Sequence, residues 1–348
     1  MHAGGGSRLM RTGVVAIGRN EGERLKRCLR SVPAGCPVVY VDSGSTDGSV
    51  AFAEGLGMRV ERLSTEHGFT AARARNAGWR RLLAEQPGLR FIQFIDGDCE
   101  LDPQWIARGE AALEADSDLC AVFGRRRERA PAASLYNALC DDEWNVPVGL
   151  VEACGGDVLF RAAAIIEAGG YADDLIAGEE PDLCLRLGLA GWTVRRIDAE
   201  MTLHDADIHR AGQWWLRVRR SGHAFAEHVA RHGPRAFPQW RRQRTSIVIW
   251  GALIPALIML LGFAAALGPS RGTALLAGLL VAAYPAQVAR IALAKWRSGA
   301  SPRLALAYGL WIMIGKFAQF GGLARYHLKR RHGGAHRLIE YKGGEQAR

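Results

Sequence analysis

No two of the seven cysteines are spaced as a CxxC pair, and their number is odd. Both features argue against a disulfide framework or a structural zinc, and leave the thiols as small buried residues. The N-terminus, "MHAGGGSRLMRTGVVAIG", has no apolar run long enough for a signal peptide, so the soluble part is expected to stay in the cytoplasm. There is no internal repeat, and no recognition motif accompanies the basic runs, so nucleic acid is not an expected partner. Ionisable residues are missing altogether from Ser246 to Leu267, "SIVIWGALIPALIMLLGFAAAL", a length that lets a helix cross about 30 Å of hydrocarbon.

That last absence divides the 348 residues in two. Up to about Arg244, apolar and charged segments alternate as in a soluble α/β protein, whereas Ala, Leu, Ile and Gly dominate the remainder. Apolar segments at 246–267, 273–290 and 304–324 read as helices of a membrane region covering 241–330. A flexible N-terminus (1–12) and an α/β domain (13–240) precede it, and a basic tail (331–348) follows. The net charge of +10 gathers at "RRQR" before the first segment and at "RYHLKRRHGGAHR" after the third, where it would attract acidic headgroups. Arg290, Lys295, Arg297 and Arg303 crowd the second connection, which the positive-inside rule puts on the cytoplasmic side. The chain then reads as a multi-pass protein of the inner or plasma membrane. The third segment carries Lys316 and Gln319 and is expected to lie in the interface or re-enter, because a full crossing would strand the basic tail outside.

In the first part, Val14–Ile17 and Val38–Val41 read as buried strands, with Leu25, Cys28, Leu29 and Val32 at helical spacing between them. A helix from Ser45 to Gly57, a strand at Met58–Leu63, the helix "GFTAARARNAGWRRLLAEQ" and the strand "LRFIQFID" continue the alternation. The order predicts a mostly parallel sheet sandwiched by helices, with ligands beyond the carboxyl ends of its strands. Afterwards "PQWIARGEAALEA" reads as a helix, "LCAVFGRR" as a strand, and the stretch holding "RRRERAP" and "DDEWNVPVG" as irregular. "CGGDVLFR" gives a turn and a strand, "GEEPDLCLRLGLAGW" a helix with Pro181 in its first turn, and "WTVRRID" a closing strand.

Two strand ends carry chemistry. In "FIQFIDGDCELD", Asp96 and Asp98 flank Gly97, around which the backbone can turn so that both carboxylates address one spot. Such oxygen ligands suit Mg²⁺ or Mn²⁺ and leave positions for phosphate oxygens, while a solvated acidic turn explains the same residues without a ligand. Glu100 and Asp102 read as acids introducing the next helix. In "VDSGSTDGS", Asp42 ends a strand and the hydroxyls of Ser43, Ser45 and Thr46 can meet a nucleoside or simply cap the helix.

The series "VVAIGRNEGERLKRCLRSV", "VVYVDSGSTDGSV", "GFTAARARNAG", "FIQFIDGDCE", "CGGDVLFR" and "GEEPDLCLRLGLAGW", in this order, resembles family 2 glycosyltransferases with the GT-A fold. The resemblance spans about Val14 to Asp205. It implies a nucleotide-diphosphate-sugar transferase-like fold, a nucleotide-diphosphate sugar donor, Mg²⁺ or Mn²⁺, and inversion at the anomeric carbon. By the same resemblance Asn20, Glu21, Asp42, Ser43, Arg75, Asn76 and Asp96 would meet the donor, and Asp98, Asp96 and His204 the metal. Glu180 stands where the family has an aspartate base, with Glu179 and Asp182 as alternatives; His204 also fits as an ordinary surface or core histidine. "QWWLRVRRSG" is a degenerate form of the family's QxxRW segment, with Leu216 in place of the arginine. Joined to the apolar segments, the resemblance implies a lipid or lipid-linked acceptor. A nucleotidyltransferase on a similar sheet, or a scaffold that keeps the fold without turnover, are the competing readings.

Overall fold

The computed structural model describes residues 11–64, 68–268 and 270–331, so most of the flexible N-terminus (1–12) and nearly all of the basic tail (331–348) lie outside the described residues. Two compact units divide the chain after Asp207. The division falls before the helix Ala211–His232, which belongs with the apolar helices rather than with the α/β unit.

The first unit is a nine-stranded sheet with helices between its strands. Its strands are β1 (Thr12–Gly18), β2 (Val38–Asp42), β3 (Arg59–Arg62), β4 (Phe91–Asp96), β5 (Cys99–Leu101), β6 (Leu119–Glu128), β7 (Gly149–Val151), β8 (Val158–Arg161) and β9 (Thr193–His204). The helices are α1 (Glu23–Ser31), α2 (Ser49–Gly55), α3 (Ala71–Glu85), α4 (Trp105–Ala115), α5 (Leu135–Glu143), α6 (Ala162–Glu167) and α7 (Glu179–Leu189). Strand order is β3-β2-β1-β4-β8-β6-β9-β5, with β7 on β9. β1 pairs parallel with β2 and β4, whereas β8 pairs antiparallel with both β4 and β6, which makes the sheet mixed but mostly parallel on its first half. β1, β2 and β4 are buried on both faces, as parallel strands covered by helices must be. α3 begins at Thr70, whose hydroxyl accepts the Arg73 N–H at 3.1 Å. Gly78 lets α3 approach the sheet: a Cβ there would run into Val15 and Val41.

Three local expectations change. "RRRERAP" is not irregular at its start, because β6 continues to Glu128. The following stretch contains α5 and β7. β9 runs on well past "WTVRRID" to His204, and its far end pairs with β5, Cys99 opposite His204. Glu100 is therefore a strand residue held by Arg27 at 2.8 Å and by Arg129, while Asp102 does open the next turn by accepting the Gln104 N–H.

The second unit comprises α8 (Ala211–His232), α9 (Pro238–Val248), α10 (Ile254–Leu267), α11 (Arg271–Arg297) and α12 (Pro302–Arg331). One turn of π-helix, Ile249–Leu253, joins α9 to α10 into a continuous rod. That rod, α11 and α12 are each long and apolar enough to cross a membrane. Small residues bring the helices together: a side chain at Gly222 would meet the backbone of Gln319, and one at Gly322 that of Arg219.

Candidate active site

The registers of β1, β2 and β4 place Gly18 level with Asp42 and Ile17 level with Asp96, so the loops that follow share one edge of the sheet. Two of them are stitched together. Asn20 Oδ1 accepts the Thr46 N–H at 2.7 Å, and Ser45 Oγ accepts the Asn20 N–H at 3.0 Å. Asn20 sits at φ 53°, in the left-handed region that asparagine tolerates better than most residues. Glu21 pairs with Arg24 at 3.0 Å. The buried Asp42 carboxylate accepts the Tyr40 hydroxyl and the N–H groups of Gly44 and Ser45, so it shapes the turn that carries Ser43.

Behind this edge lies an arginine ringed by acids. Arg75, on α3 and buried, puts Nη2 2.9 Å from Asp96 and Nη1 2.9 Å from Glu179 and 3.1 Å from Glu180. Its guanidinium also lies over the Tyr171 ring. Burial works against the Arg75 charge, but Glu180, Asp96 and Glu179 outweigh it and hold the group firmly ionised. Glu179 and Glu180 occupy the first turn of α7, where the helix dipole favours carboxylates. The Glu180 side chain retains 14% exposure. Burial, then the neighbouring Glu179, push it up to about 7, against the pull of Arg75. A carboxylate poised near neutrality is suited to take up and release a proton.

Beside this group, Asp98 and His204 meet from different elements, Oδ2 to Nε2 3.3 Å apart and both buried. Cys99 completes a cluster whose three donor atoms lie within 4.8 Å of one another. The far ring nitrogen of His204 faces Glu128 Oε2 at 3.6 Å, and the Trp144 ring meets the imidazole edge-on at 4.5 Å. Burial and the nearby Arg126 lower the His204 pKa, which favours the neutral imidazole that binds metals. These donors fit a divalent cation: with ligand bonds of roughly 2.1 Å, neighbouring ligands at right angles stand about 3 Å apart. A carboxylate backing the far side of the imidazole is the usual support of such a ligand.

The structure separates the two aspartates of the DxD. Asp98 joins His204, whereas Asp96 takes Arg75 on one oxygen and Arg126 on the other, at 2.9 and 3.4 Å. Asn76 and Asp182 serve the scaffold. The Asn76 amide donates to Tyr171 O and Asp173 and accepts from the Tyr171 N–H and the Trp79 indole. Asp182 holds Arg186, which in turn donates to the carbonyls of Ala168 and Gly170 after α6.

Three polar residues of the site escape sequence reasoning. Asp157, fully buried, accepts the Asp96 N–H and the Thr202 hydroxyl, each at 2.9 Å, and pairs with Arg126. Arg126 bridges Asp96 and Asp157 over the Trp144 ring, and Glu128 backs His204. The only signal was for Asp157, which sits in "CGGDVLFR". Gly156, just before it, faces Arg75 and Asp96 where any side chain would intrude.

Residues 14–144 match the family model described as Glycosyl transferase family 2. A pre-mycofactocin glycosyltransferase of Mycobacterium tuberculosis is 26% identical over 267 residues, covering 72% of this chain and 52% of its own. Glycosyltransferase AglE of Haloferax volcanii is 27% identical over 201 residues, covering 53% of this chain and 60% of its own. The chain thus spans about half the length of the first of these curated relatives. Among solved structures, the mannosyltransferase PcManGT from Pyrobaculum calidifontis, in complex with GDP-Man and Mn²⁺, has a TM-score of 0.59 at 18% identity, covering 92% of this chain and 88% of that one. The matched residues end in α5, and the strand ends they include carry the Asp42 turn and the Asp96–Asp98 pair; within them the chain is similar to glycosyl transferase family 2, and it shares its fold with PcManGT.

Proposed function

We propose that the chain is an inverting, metal-dependent glycosyltransferase that moves a sugar from a nucleotide-diphosphate donor to a lipid or lipid-linked acceptor. The observation that carries this is the Arg75 group: one buried guanidinium fixes Asp96 beside the donor edge and Glu180 in the first turn of α7. The arrangement supports a division of roles. The Asn20 and Asp42 loops border the nucleotide. Asp98 and His204 would hold Mg²⁺ or Mn²⁺, which when bound supplies positive charge to the departing diphosphate. Glu180, ionised above about pH 7, accepts the proton of the acceptor hydroxyl. The bond from that oxygen to the anomeric carbon forms on the face opposite the breaking bond to the diphosphate, which inverts the configuration. Arg75 keeps Glu180 and Glu179 in place through the transfer. Such a site also agrees with the relatives' names, and the GDP-Man and Mn²⁺ in PcManGT agree with the donor class.

The apolar helices support a membrane-bound enzyme, read as multi-pass in the inner or plasma membrane with the catalytic unit in the cytoplasm. A test is direct. Purified full-length protein with Mn²⁺ or Mg²⁺ is incubated with UDP-, GDP- and TDP-sugars and a membrane lipid extract, and products are identified by mass spectrometry. A glycosylated lipid with released nucleoside diphosphate is expected. Release of pyrophosphate instead would point to nucleotidyl transfer and sink the proposal.

A further inference from the structure

Lys316 lies midway along α12, in one of the helices apolar enough to span a membrane, yet its side chain is 94% shielded. Among the described residues its ammonium makes one hydrogen bond, to the neutral Gln243 Oε1 at 3.0 Å, and no ion pair. An ammonium can donate three hydrogen bonds, so two remain to be used. Internal neutralisation has almost no source: between Ile208 and Arg331 the sequence has a single acidic residue, Glu227, and that carboxylate lies 3.5 Å from His223. A cation buried in an apolar helix without a counter-charge is costly and marks a function more often than a fold requirement.

The surroundings are built for close approach. Gly251, in the π-helical turn, lies where any side chain would strike the Lys316 carbonyl and Phe320. π-turns in helices are uncommon and concentrate at functional positions. Here the Trp250 carbonyl accepts the Tyr284 hydroxyl at 2.7 Å. One turn along α12, Gln319 donates to Ser221 at 3.4 Å, and its Oε1 is buried with no hydrogen-bond partner. Gln243 itself is exposed, within the sequence "RRQR", so its hydrogen bond links the buried ammonium to the surface. An anion therefore has a way in.

We infer that Lys316 and Gln243 form a binding site for the phosphate group of a lipid. The phosphate supplies the negative charge this unit lacks, and the lipid chains suit the apolar helices that carry the site. The inference stands whether or not the chain transfers a sugar, because every residue in it belongs to the helical unit.

The test uses full-length protein, delipidated in a neutral detergent, and dioleoyl phosphatidic acid as probe. Native mass spectrometry reads bound lipid, and ³¹P NMR reads its phosphate. Dioleoylglycerol, which lacks the phosphate, should bind at least about tenfold more weakly, and inorganic phosphate in about hundredfold excess should not displace the lipid. Lys316→Gln should weaken phosphatidic acid about tenfold or more, while Lys295→Gln, which removes a lysine at the end of α11, should bind as wild type. Gln243→Glu guards against a misfolded variant: its carboxylate pairs with Lys316 from within, so lipid binding should fall while the lipid-free protein melts no lower than wild type. Wild-type binding by both Lys316→Gln and Gln243→Glu would overturn the site. Equal losses in Lys295→Gln and Lys316→Gln would reduce it to general attraction for anions, and displacement by inorganic phosphate would make it a free-anion site; either also overturns it.

Discussion

Arg75, on α3, and Asp96, the last residue of β4, are joined by a 2.9 Å ion pair whose guanidinium is almost fully buried. The same guanidinium holds Glu179 and Glu180, so removing it leaves three carboxylates crowded in a low-dielectric corner. Arg75→Met should lower unfolding free energy by about 3–5 kcal/mol, measured by urea denaturation, and abolish transfer. Arg75→Lys keeps one charge but loses the fork that spans three acids, and should fall between the two. A fully stable Arg75→Met protein would refute the structural role given to this group.

Asp98 and His204 should control cation affinity. Asp98→Asn and His204→Ala are each expected to weaken Mn²⁺ binding at least about tenfold, read by electron paramagnetic resonance of free Mn²⁺ without any turnover. Glu128→Gln, behind the imidazole, should have a smaller effect in the same direction. Asp96→Asn should disturb the Arg75 and Arg126 pairs more than it disturbs the metal.

The pH profile follows from Glu180. Protonated, it cannot accept the acceptor's proton, so kcat/KM should rise with pH through a midpoint of about 7. Glu180→Gln should remove that limb and lower the rate by about 10²–10⁴. Stability runs the other way. The folded state raises this pKa above the ordinary glutamate value of 4.5, so it binds the proton more tightly than the unfolded chain. The Glu180 contribution is greatest below about 4.5 and is lost as pH rises through about 7.

Asn76 offers a contrast between scaffold and chemistry. Its buried amide makes four hydrogen bonds, three that tie α3 to Tyr171 and Asp173 and one from the Trp79 indole within α3. Asn76→Ala should cost about 1–3 kcal/mol, visible as a lower melting temperature. Mn²⁺ affinity should stay within about twofold of wild type, since none of these bonds reaches Asp98 or His204.

The first half of the sheet was legible because buried parallel strands and amphipathic helices leave strong periodic signals. Val14–Ile17, Val38–Val41 and Phe91–Ile95 all lie inside the observed strands. β5 and β7 were not legible, since three residues cannot show a period, and Glu100, which reads as an acid introducing the next helix, lies in β5. β9 extends beyond "WTVRRID" through Asp198 and Glu200, which are exposed positions of a strand whose alternate residues Ala199 and Met201 are buried. At the site, local motifs located Asp96, Asp98 and Glu180. Arg126, Asp157 and Glu128 gain their roles only from pairings between β6, β8 and β9, which no local pattern encodes.

The pairing of β5 with β9 makes the cation cluster dependent on strand alignment. Asp98 leaves the ribosome long before His204, and the two meet only when Cys99 pairs with His204 in register. Sliding β9 by a single position would turn the imidazole to the opposite face of the sheet, away from Asp98. On the proposed metal role of Asp98 and His204, cation affinity would thus be a late reporter of correct folding, which a chain with misaligned strands would lack even with every motif residue present.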